Sequence, residues 1–257
     1  MDIFLLGSRL DCFSNYDQAY NRLIAHIKNL TPSCYVSINN AHTLVEGVLH
    51  LNYRAIINQS TLSLADGGSL SLVGRLKGAT NMRRIFGPSW MEFVLDKGQN
   101  VGLRHFFFGS TQEILDEMAA VVHRRYPQAV IAGVLSPPFR PFTAEENKEF
   151  IRQIRDSQAD IIWVSLGAPK QERWIYDVYK ELDHGIFIGI GAGFSYLTGR
   201  IKHAPQWMKR WALEWVYRLV QEPRRLYKRY LVANSLFIVF LFLETVGLLS
   251  FSKDTRP

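Results

Sequence analysis

The chain has 257 residues, of which 47% are hydrophobic and 13% aromatic, a composition that excludes an intrinsically disordered protein. This length suits one large domain or two small lobes that share a core. The formal net charge of +7 predicts an acidic partner, for which nucleic acid, anionic lipid and a nucleotide diphosphate all qualify.

The two cysteines, Cys12 and Cys34, build no disulfide framework and are typical of a reducing cytosol. Residues 1–7 have no basic region, and their apolar run is too short for a signal peptide. We therefore expect the protein to act on the cytoplasmic side of the membrane.

Short apolar runs alternate with amphipathic stretches through most of the chain. Strands are predicted at residues 35–38, 103–108, 130–134, 161–166 and 186–190. Helices are predicted at residues 41–51, 112–126 and 144–157, the last opened by a capping box of Thr143 and Glu146. This alternation predicts an α/β fold, in which a parallel sheet has helices on both faces.

Asp66 directly follows the short apolar run of residues 62–65, and two glycines come after it. Glycines let the backbone approach a substrate closely, so Asp66 is a candidate general base. The alternative is a turn in which the aspartate bonds its own backbone. Residues 109–111, Gly-Ser-Thr, leave a similar choice between a phosphate cradle and a helix N-cap.

The strand at residues 161–166 is followed by Gly-Ala-Pro-Lys-Gln-Glu. The glycine ends the strand, and Pro169 suits the first turn of a helix. Lys170 and Gln171 are then predicted at the carboxyl end of a strand, where open α/β sheets bind ligands. A polar helix start explains these side chains about equally well.

Residues 189–194 begin like a dinucleotide fingerprint that includes Gly191, but the sixth position is Phe194. No acidic residue follows where the ribose of a nicotinamide cofactor would need one, so an oxidoreductase is a weak alternative. The chain also has no Asp-x-Asp pair to hold a divalent cation on a diphosphate. We expect no metal and no cofactor, with arginine, lysine and helix N-termini neutralising a departing diphosphate.

The positive charge is concentrated near the C-terminus, where residues 200–229 carry nine cations and two acids. Aromatic and apolar residues recur there at helical spacing over 207–220, which predicts an amphipathic helix with a basic face. Residues 231–251 are apolar except for a few positions that include Glu244. We predict a core of residues 1–199 and a basic helical appendage of residues 200–257. Segment 231–251 would lie on the membrane, with a true span as the alternative.

Three sequence blocks resemble the WecG/TagA/CpsF family of bacterial glycosyltransferases. They comprise residues 64–68 with 84–87, then 166–174, and a third block within 189–226 that includes 189–194, 204–205, 207–208, 214–215, 217–219 and 222–226. The resemblance implies an α/β fold and transfer of a sugar to a lipid-carried sugar. It also implies that Asp66 deprotonates the acceptor hydroxyl.

The same resemblance extends to other positions. Ser37 and Asn39 match a Thr-x-Asn pair, Arg84 matches an arginine near the diphosphate or acceptor, and Gln171 matches the glutamine of the second block. Ser195 stands where the family has Asp, which predicts a different contact to the donor. The full set of predicted substrate-binding residues is Ser37, Asn39, Arg84, Lys170, Gln171, Gly191, Ser195, Arg218 and Arg224.

The resemblance thus implies an inverting, metal-independent glycosyltransferase of surface polysaccharide biosynthesis. The expected partners are a UDP-sugar of the N-acetylmannosamine type or a related hexose or uronic acid, a polyprenyl-diphosphate-linked saccharide, and an anionic membrane surface. Nucleic acid is not expected, and self-association stays open. The alternatives are a basic nucleic-acid-binding protein and a non-catalytic membrane scaffold, besides the oxidoreductase.

Overall fold

The computed structural model describes residues 2–28, 32–211 and 213–251. The strands in this part of the chain are β1 Asp2–Leu5, β2 Ser8–Asp11, β3 Cys34–Asn39, β4 Leu62–Ala65, β5 Arg104–Gly109, β6 Val130–Leu135, β7 Ile161–Ser165 and β8 Ile186–Gly189. The α-helices there are α1 Tyr16–Lys28, α2 Ala41–Leu49, α3 Leu51–Gln59, α4 Gly68–Leu76, α5 Gly87–Gly98, α6 Gln112–Arg125, α7 Ala144–Ser157, α8 Lys170–Val178, α9 Gly193–Leu197, α10 Gln206–Arg210, α11 Glu214–Gln221 and α12 Pro223–Thr245.

A six-stranded sheet has the order β4-β3-β8-β7-β5-β6, with helices around it. The described registers of β3 with β8, β8 with β7, β7 with β5 and β5 with β6 are all parallel. Strands β1 and β2 form a separate antiparallel pair. The predicted α/β fold with a parallel sheet is confirmed, as is a helical C-terminal segment.

Three local signals in the sequence mark the beginnings of helices. Thr143 and Glu146 form the capping box that opens α7. Thr111 is the N-cap of α6, with its Oγ1 accepting a hydrogen bond from the amide of Ile114. Pro169 comes one residue before α8, as its N-cap rather than in its first turn.

Two predicted helices are interrupted in the structure. The helix expected over residues 41–51 stops at Leu49, because His50 has an extended backbone whose amide caps α2 by donating to Glu46 O. The helix expected over residues 207–220 is divided into α10 and α11, with the amide of Leu213 donating to Met208 O between them. Neither residues 49–51 nor residues 211–213 contain a proline or glycine that would have predicted the break.

The chain divides into two compact units. The first unit comprises Met1–Asn15, Ser37–Phe86 and Ile201–Pro257, and the second comprises Tyr16–Val36 and Gly87–Arg200. Strand β3 therefore contributes its first half to the second unit and its last half to the first unit. The predicted division into residues 1–199 and 200–257 stays a prediction.

Each unit has its own apolar core. In the first unit, Phe237 of α12 is buried among residues of the β1–β2 pair, α2 and α4, such as Leu5, Leu44 and Leu70. In the second unit, large aromatic side chains fill the space around the sheet. Phe108 and Trp174 stack there, with ring centroids 4.3 Å apart.

Candidate active site

In the first unit, the ends of strands β3 and β4 place Asn39 beside Asp66. The backbone oxygen of Asn39 accepts hydrogen bonds from the amides of Asp66, at 2.8 Å, and Gly67, at 3.3 Å. Parallel strands end at the same edge of a sheet, and ligands of open α/β folds bind at the carboxyl edge. Asp66 is partly exposed there, two residues before helix α4 begins.

The side chains behind this edge form a buried hydrogen-bonded network. Ser37 Oγ donates to Asn39 Oδ1 at 3.1 Å, and Asn39 Nδ2 donates to Ser63 Oγ at 2.9 Å. Ser63 Oγ in turn donates to Arg9 O at 2.5 Å. Since these interactions use both ends of the fully buried Asn39 amide, its side chain is fixed from within the protein.

The network continues to Asp11 at the end of strand β2. The amide of Ser63 donates to Asp11 Oδ2 at 2.6 Å, and the Arg9 guanidinium lies 3.6 Å from Asp11 Oδ1. Burial raises the pKa of the Asp11 carboxyl, although the bond from Ser63 and the charge of Arg9 oppose this effect. Sequence reasoning missed both Asp11 and Ser63; the one signal for Ser63 was a polar residue inside an apolar run.

Arg84 connects the Asp66 segment to the C-terminal helices. Its Nε donates to the backbone oxygen of Asp66, and its Nη1 forms an ion pair with Glu214 of α11. The guanidinium lies 4.3 Å from the centroid of the Phe86 ring, which is a cation–π contact. Arg84 is therefore held in place by the backbone of Asp66, the carboxylate of Glu214 and the ring of Phe86. Glu214 belongs to the third block of the family resemblance, but its ion pair with Arg84 was not predicted from the sequence.

The two predicted arginines of the C-terminal helices differ in environment. Arg218 is buried on α11, and its Nη2 forms an ion pair with Glu222 at 2.6 Å. It lies four residues after Glu214, so the two side chains project from the same face of α11. Arg224 is exposed in the first turn of α12.

In the second unit, Gln171 joins the turns that follow β7 and β8. Its Oε1 accepts hydrogen bonds from the amides of Gly167, at 3.2 Å, and Gly191, at 3.0 Å. Its Nε2 donates to Glu172 Oε1 at 2.7 Å. A Cβ at Gly189 would lie 2.9 Å from Gln171 Nε2 and 3.1 Å from its Cδ, so any larger residue there would displace this buried side chain.

The other predicted residues of the second unit surround these turns. Gly191 has a positive φ of 55°, and its carbonyl oxygen accepts from Ser165 Oγ at 2.6 Å. Lys170 is exposed, with its Nζ 4.3 Å from the Phe142 ring centroid. Ser195 is half-buried in α9, and its backbone oxygen accepts from Thr198 Oγ1 at 3.3 Å.

The predicted residues thus form two groups. Asp66, Asn39 and Arg84 come together in the first unit, with Ser37 behind them, while Gln171 and Gly191 come together in the second. Within residues 2–28, 32–211 and 213–251, no three His, Cys, Asp or Glu side chains are grouped as a metal site. Metal independence stays a prediction, because a substrate diphosphate can itself supply metal ligands.

Comparison with known proteins identifies relatives along nearly the whole chain. The model of the glycosyl transferase WecG/TagA/CpsF family matches residues 3–250. Two similar proteins are each named N-acetylglucosaminyldiphosphoundecaprenol N-acetyl-beta-D-mannosaminyltransferase. The protein from Bacillus spizizenii strain W23 is 26% identical over 213 residues, which are 81% of either chain. The protein from Bacillus subtilis strain 168 is 26% identical over 212 residues, which are 82% of this chain and 81% of the relative.

Proposed function

This chain belongs to the glycosyl transferase WecG/TagA/CpsF family, and we propose that it transfers an N-acetylmannosamine-type sugar from a uridine diphosphate donor to a polyprenyl-diphosphate-linked N-acetylglucosamine. The chain is a glycosyltransferase of cell-envelope polysaccharide biosynthesis. The names of its two relatives support this acceptor and this sugar. Membership of this family favours a glycosyltransferase over the three alternatives, which were a nucleic-acid-binding protein, a non-catalytic membrane scaffold and an oxidoreductase.

The proposed reaction is a single displacement with inversion at the anomeric carbon. The acceptor hydroxyl attacks that carbon, the bond to the diphosphate breaks, and Asp66 takes the hydroxyl proton. One carboxylate acting as general base is sufficient for this chemistry. The β linkage in the relatives' names supports inversion, because an α-linked donor gives a β product in one step.

The observation that carries the assignment of Asp66 is how its backbone is held. Its amide donates to Asn39 O, and its carbonyl oxygen accepts from Arg84 Nε. With both backbone groups fixed at the carboxyl edge of the sheet, the Cα from which the carboxylate projects has little freedom to move relative to a bound acceptor. Such positioning can contribute several kcal/mol to lowering a barrier. In this proposal Asn39 and Ser37, which were predicted to bind the substrate, are buried behind Asp66 and position it.

Cationic side chains neutralise the departing diphosphate in this proposal. Arg84 donates a hydrogen bond to the backbone oxygen of Asp66 and forms an ion pair with Glu214. The buried Arg218 lies on the same face of α11 as Glu214. An arginine that is held by protein contacts pays little reorganisation when charge develops on the leaving group. Lys170, Gln171, Gly191 and Ser195 are proposed for the donor, and Arg224 for the acceptor diphosphate.

The proposed place of action is the inner face of the cell membrane. Helix α12 is the one helix in the described chain that is long and apolar enough to cross a bilayer, although a soluble core helix can pass the same test. One face of α12 is packed against the core of the first unit. This packing supports a helix that lies on the leaflet rather than one surrounded by lipid.

The proposed function is tested by nucleotide release. Purified protein would be incubated with a panel of UDP-sugars and a short-chain diphosphate-linked N-acetylglucosamine acceptor. We expect acceptor-dependent release of UDP with UDP-N-acetylmannosamine, and a product one N-acetylhexosamine heavier by mass spectrometry. UDP release without product, or product from a different sugar alone, would contradict the proposal.

Metal independence is tested separately with the same assay. Saturating chelator is expected to change the rate by less than about twofold, because fixed cations take the role of a divalent ion on the diphosphate. Loss of turnover on chelation, with recovery on adding back one divalent ion, would show that the leaving group needs a metal.

A further inference from the structure

Helix α4, which directly follows the Asp66 segment, has two very different faces. Leu70, Val73 and Gly74 face inward, and a Cβ at Gly74 would lie only 2.3 Å from Met82 Sδ. On the other side, Leu72 and Leu76 are 48% and 79% exposed. These two leucines are four residues apart, so they form one apolar stripe along the helix.

Helix α12 shows the same division along its length. Phe237 is buried in the apolar cluster that also contains Leu70 of α4. The outward side carries an apolar stripe made of Leu231, Val232, Ile238, Val239 and Phe242. Both helices therefore pack onto one core and leave apolar residues outside it.

An ion pair joins the C-terminal ends of the two helices. Lys77, which directly follows α4, pairs with Glu244 in the last turn of α12. Glu244 is the one acidic residue within 223–251, and this contact neutralises it. Leu76 directly precedes Lys77, and Phe242 and Val246, which lie on either side of Glu244 in sequence, are exposed. The two stripes thus extend to helix ends that an ion pair joins.

The charges around the stripes indicate what covers them. Residues 66–86 contain four cations and one acid, and residues 222–251 contain four cations and two acids. Both acids of the second range, Glu222 and Glu244, are ion-paired. An apolar surface whose border carries a net positive charge is complementary to an anionic lipid leaflet. A soluble partner protein would be expected to meet a more mixed set of charges at the rim of its interface.

We propose that α4 is a second lipid-contacting element, and that Leu72 and Leu76 enter the anionic cytoplasmic leaflet beside the exposed stripe of α12. This inference rests on the proposed function, in which the acceptor is carried by a lipid. Helix α4 rises about 12 Å from Gly68 to Leu76. Asp66 precedes Gly68 by two residues, so with Leu76 at the hydrocarbon boundary it lies at most about 19 Å above that boundary. The polar layer of a leaflet is about 5–8 Å thick, so this upper limit includes the height at which a membrane-bound diphosphate presents its sugar.

The inference is tested with full-length protein and vesicles, without turnover. The test variant is Leu72→Ser with Leu76→Ser, and the control is Val101→Ser with Phe139→Ser, whose side chains are 53% and 80% exposed in the second unit. Binding is measured by sedimentation with vesicles of phosphatidylglycerol and phosphatidylethanolamine, and with pure phosphatidylcholine. We expect the test variant to bind the anionic vesicles about tenfold or more weakly, and the control variant to bind within twofold of the unmodified protein.

Two further measurements make the outcome unambiguous. A fluorophore on Leu76→Cys should be quenched by lipids labelled in the acyl chain, whereas the same fluorophore on Val101→Cys should not. Turnover of a soluble acceptor analogue by the double-serine variant should stay within twofold, which keeps failure of this inference distinct from failure of the proposed function. Unchanged vesicle binding, no quenching at position 76, or conversion of a dimer to a monomer without loss of vesicle binding would overturn the proposal.

Discussion

Asp66 and Asn39 are joined through the main chain rather than through their side chains. Asn39 O accepts from the amide of Asp66, while the Asn39 amide group is occupied by Ser37 and Ser63. In this arrangement the Asp66 carboxylate is the reacting group, and the hydrogen bonds of Asn39 hold the segment that carries it. Substitutions at Asp66 and at Ser63 should therefore have different signatures.

Asp66→Asn removes the proposed base while keeping the size of the side chain and the backbone contacts. We expect kcat to fall by about 10²–10⁴, the usual contribution of a general base, with donor affinity nearly unchanged. Asp96→Asn on the exposed surface of α5 is the matched control. Turnover of Asp66→Asn within threefold of the unmodified enzyme would remove Asp66 from the mechanism.

Ser63→Ala removes the hydroxyl that accepts from Asn39 and donates to Arg9. We expect a loss of about 1–3 kcal/mol in the free energy of unfolding, because partners in a buried network are left unsatisfied. We also expect kcat to fall about tenfold with an unchanged KM for the donor, since the Asp66 segment would be less well held. The control is Ser33→Ala, which removes a buried serine bond to Gly185 O in the second unit. Equal kinetic effects of both substitutions would show that Ser63 has only a structural role.

Among the elements, strands β3, β5, β6, β7 and β8 were predictable because each is a short, mainly apolar run closed by glycine, serine or a polar turn. Strands β1 and β2 were not predicted, because they are only four residues long and β2 reads Ser-Arg-Leu-Asp. The N-termini of α6 and α7 were predictable because Thr111 and Thr143 cap them within three residues along the chain. The network of Asp11, Ser63 and Asn39 was not predictable, because it depends on contacts between residues about 20 to 50 positions apart. Local signals reach only as far as one element.

Strand β5 lies between β7 and β6 in the second unit and carries a buried histidine. Trp163 Nε1 donates to His105 Nδ1 at 3.2 Å, and His105 Nε2 has no hydrogen-bond partner among the described residues. The received bond fixes the tautomer with the proton on Nε2. Burial lowers the pKa of His105 from 6.5 to about 3, because the charged ring would have no solvent around it.

This depressed pKa predicts a loss of stability in mild acid. Below pH 6.5 the unfolded chain binds a proton at position 105, whereas the folded protein does not until the pH nears 3. Folding therefore loses about 2 kcal/mol from this group between pH 7.5 and 5. His105→Phe should remove that share of the pH dependence in urea unfolding, and His123→Gln on the exposed surface of α6 should not. An unchanged pH dependence in His105→Phe would show that the folded protein protonates His105 as readily as the unfolded chain does.

For the molecule as a whole, the charge of +7 and the apolar C-terminal segment were evident in the sequence. An apolar helical segment can be covered by protein or by lipid, and hydrophobicity alone does not separate the two. The structure shows which residues of α12 are covered by protein and which are not. Phe237 is 3% exposed within the core of the first unit, and Phe242 on the same helix is 61% exposed. Truncation before α12 would remove both, so it cannot distinguish folding from membrane binding.

A pair of substitutions on α12 makes that distinction. Phe237→Ala should lower the free energy of unfolding by about 3–5 kcal/mol, because it opens a cavity in the core. Phe242→Ala should leave the free energy of unfolding within about 0.5 kcal/mol of the unmodified protein but weaken binding to anionic vesicles. The reason is that this substitution removes an exposed side chain and opens no cavity in the core. Urea unfolding in solution and vesicle sedimentation measure the two effects on the same proteins. If α12 instead left the core and spanned the bilayer, Phe237→Ala would not change unfolding of the first unit, and both substitutions would weaken membrane association alike.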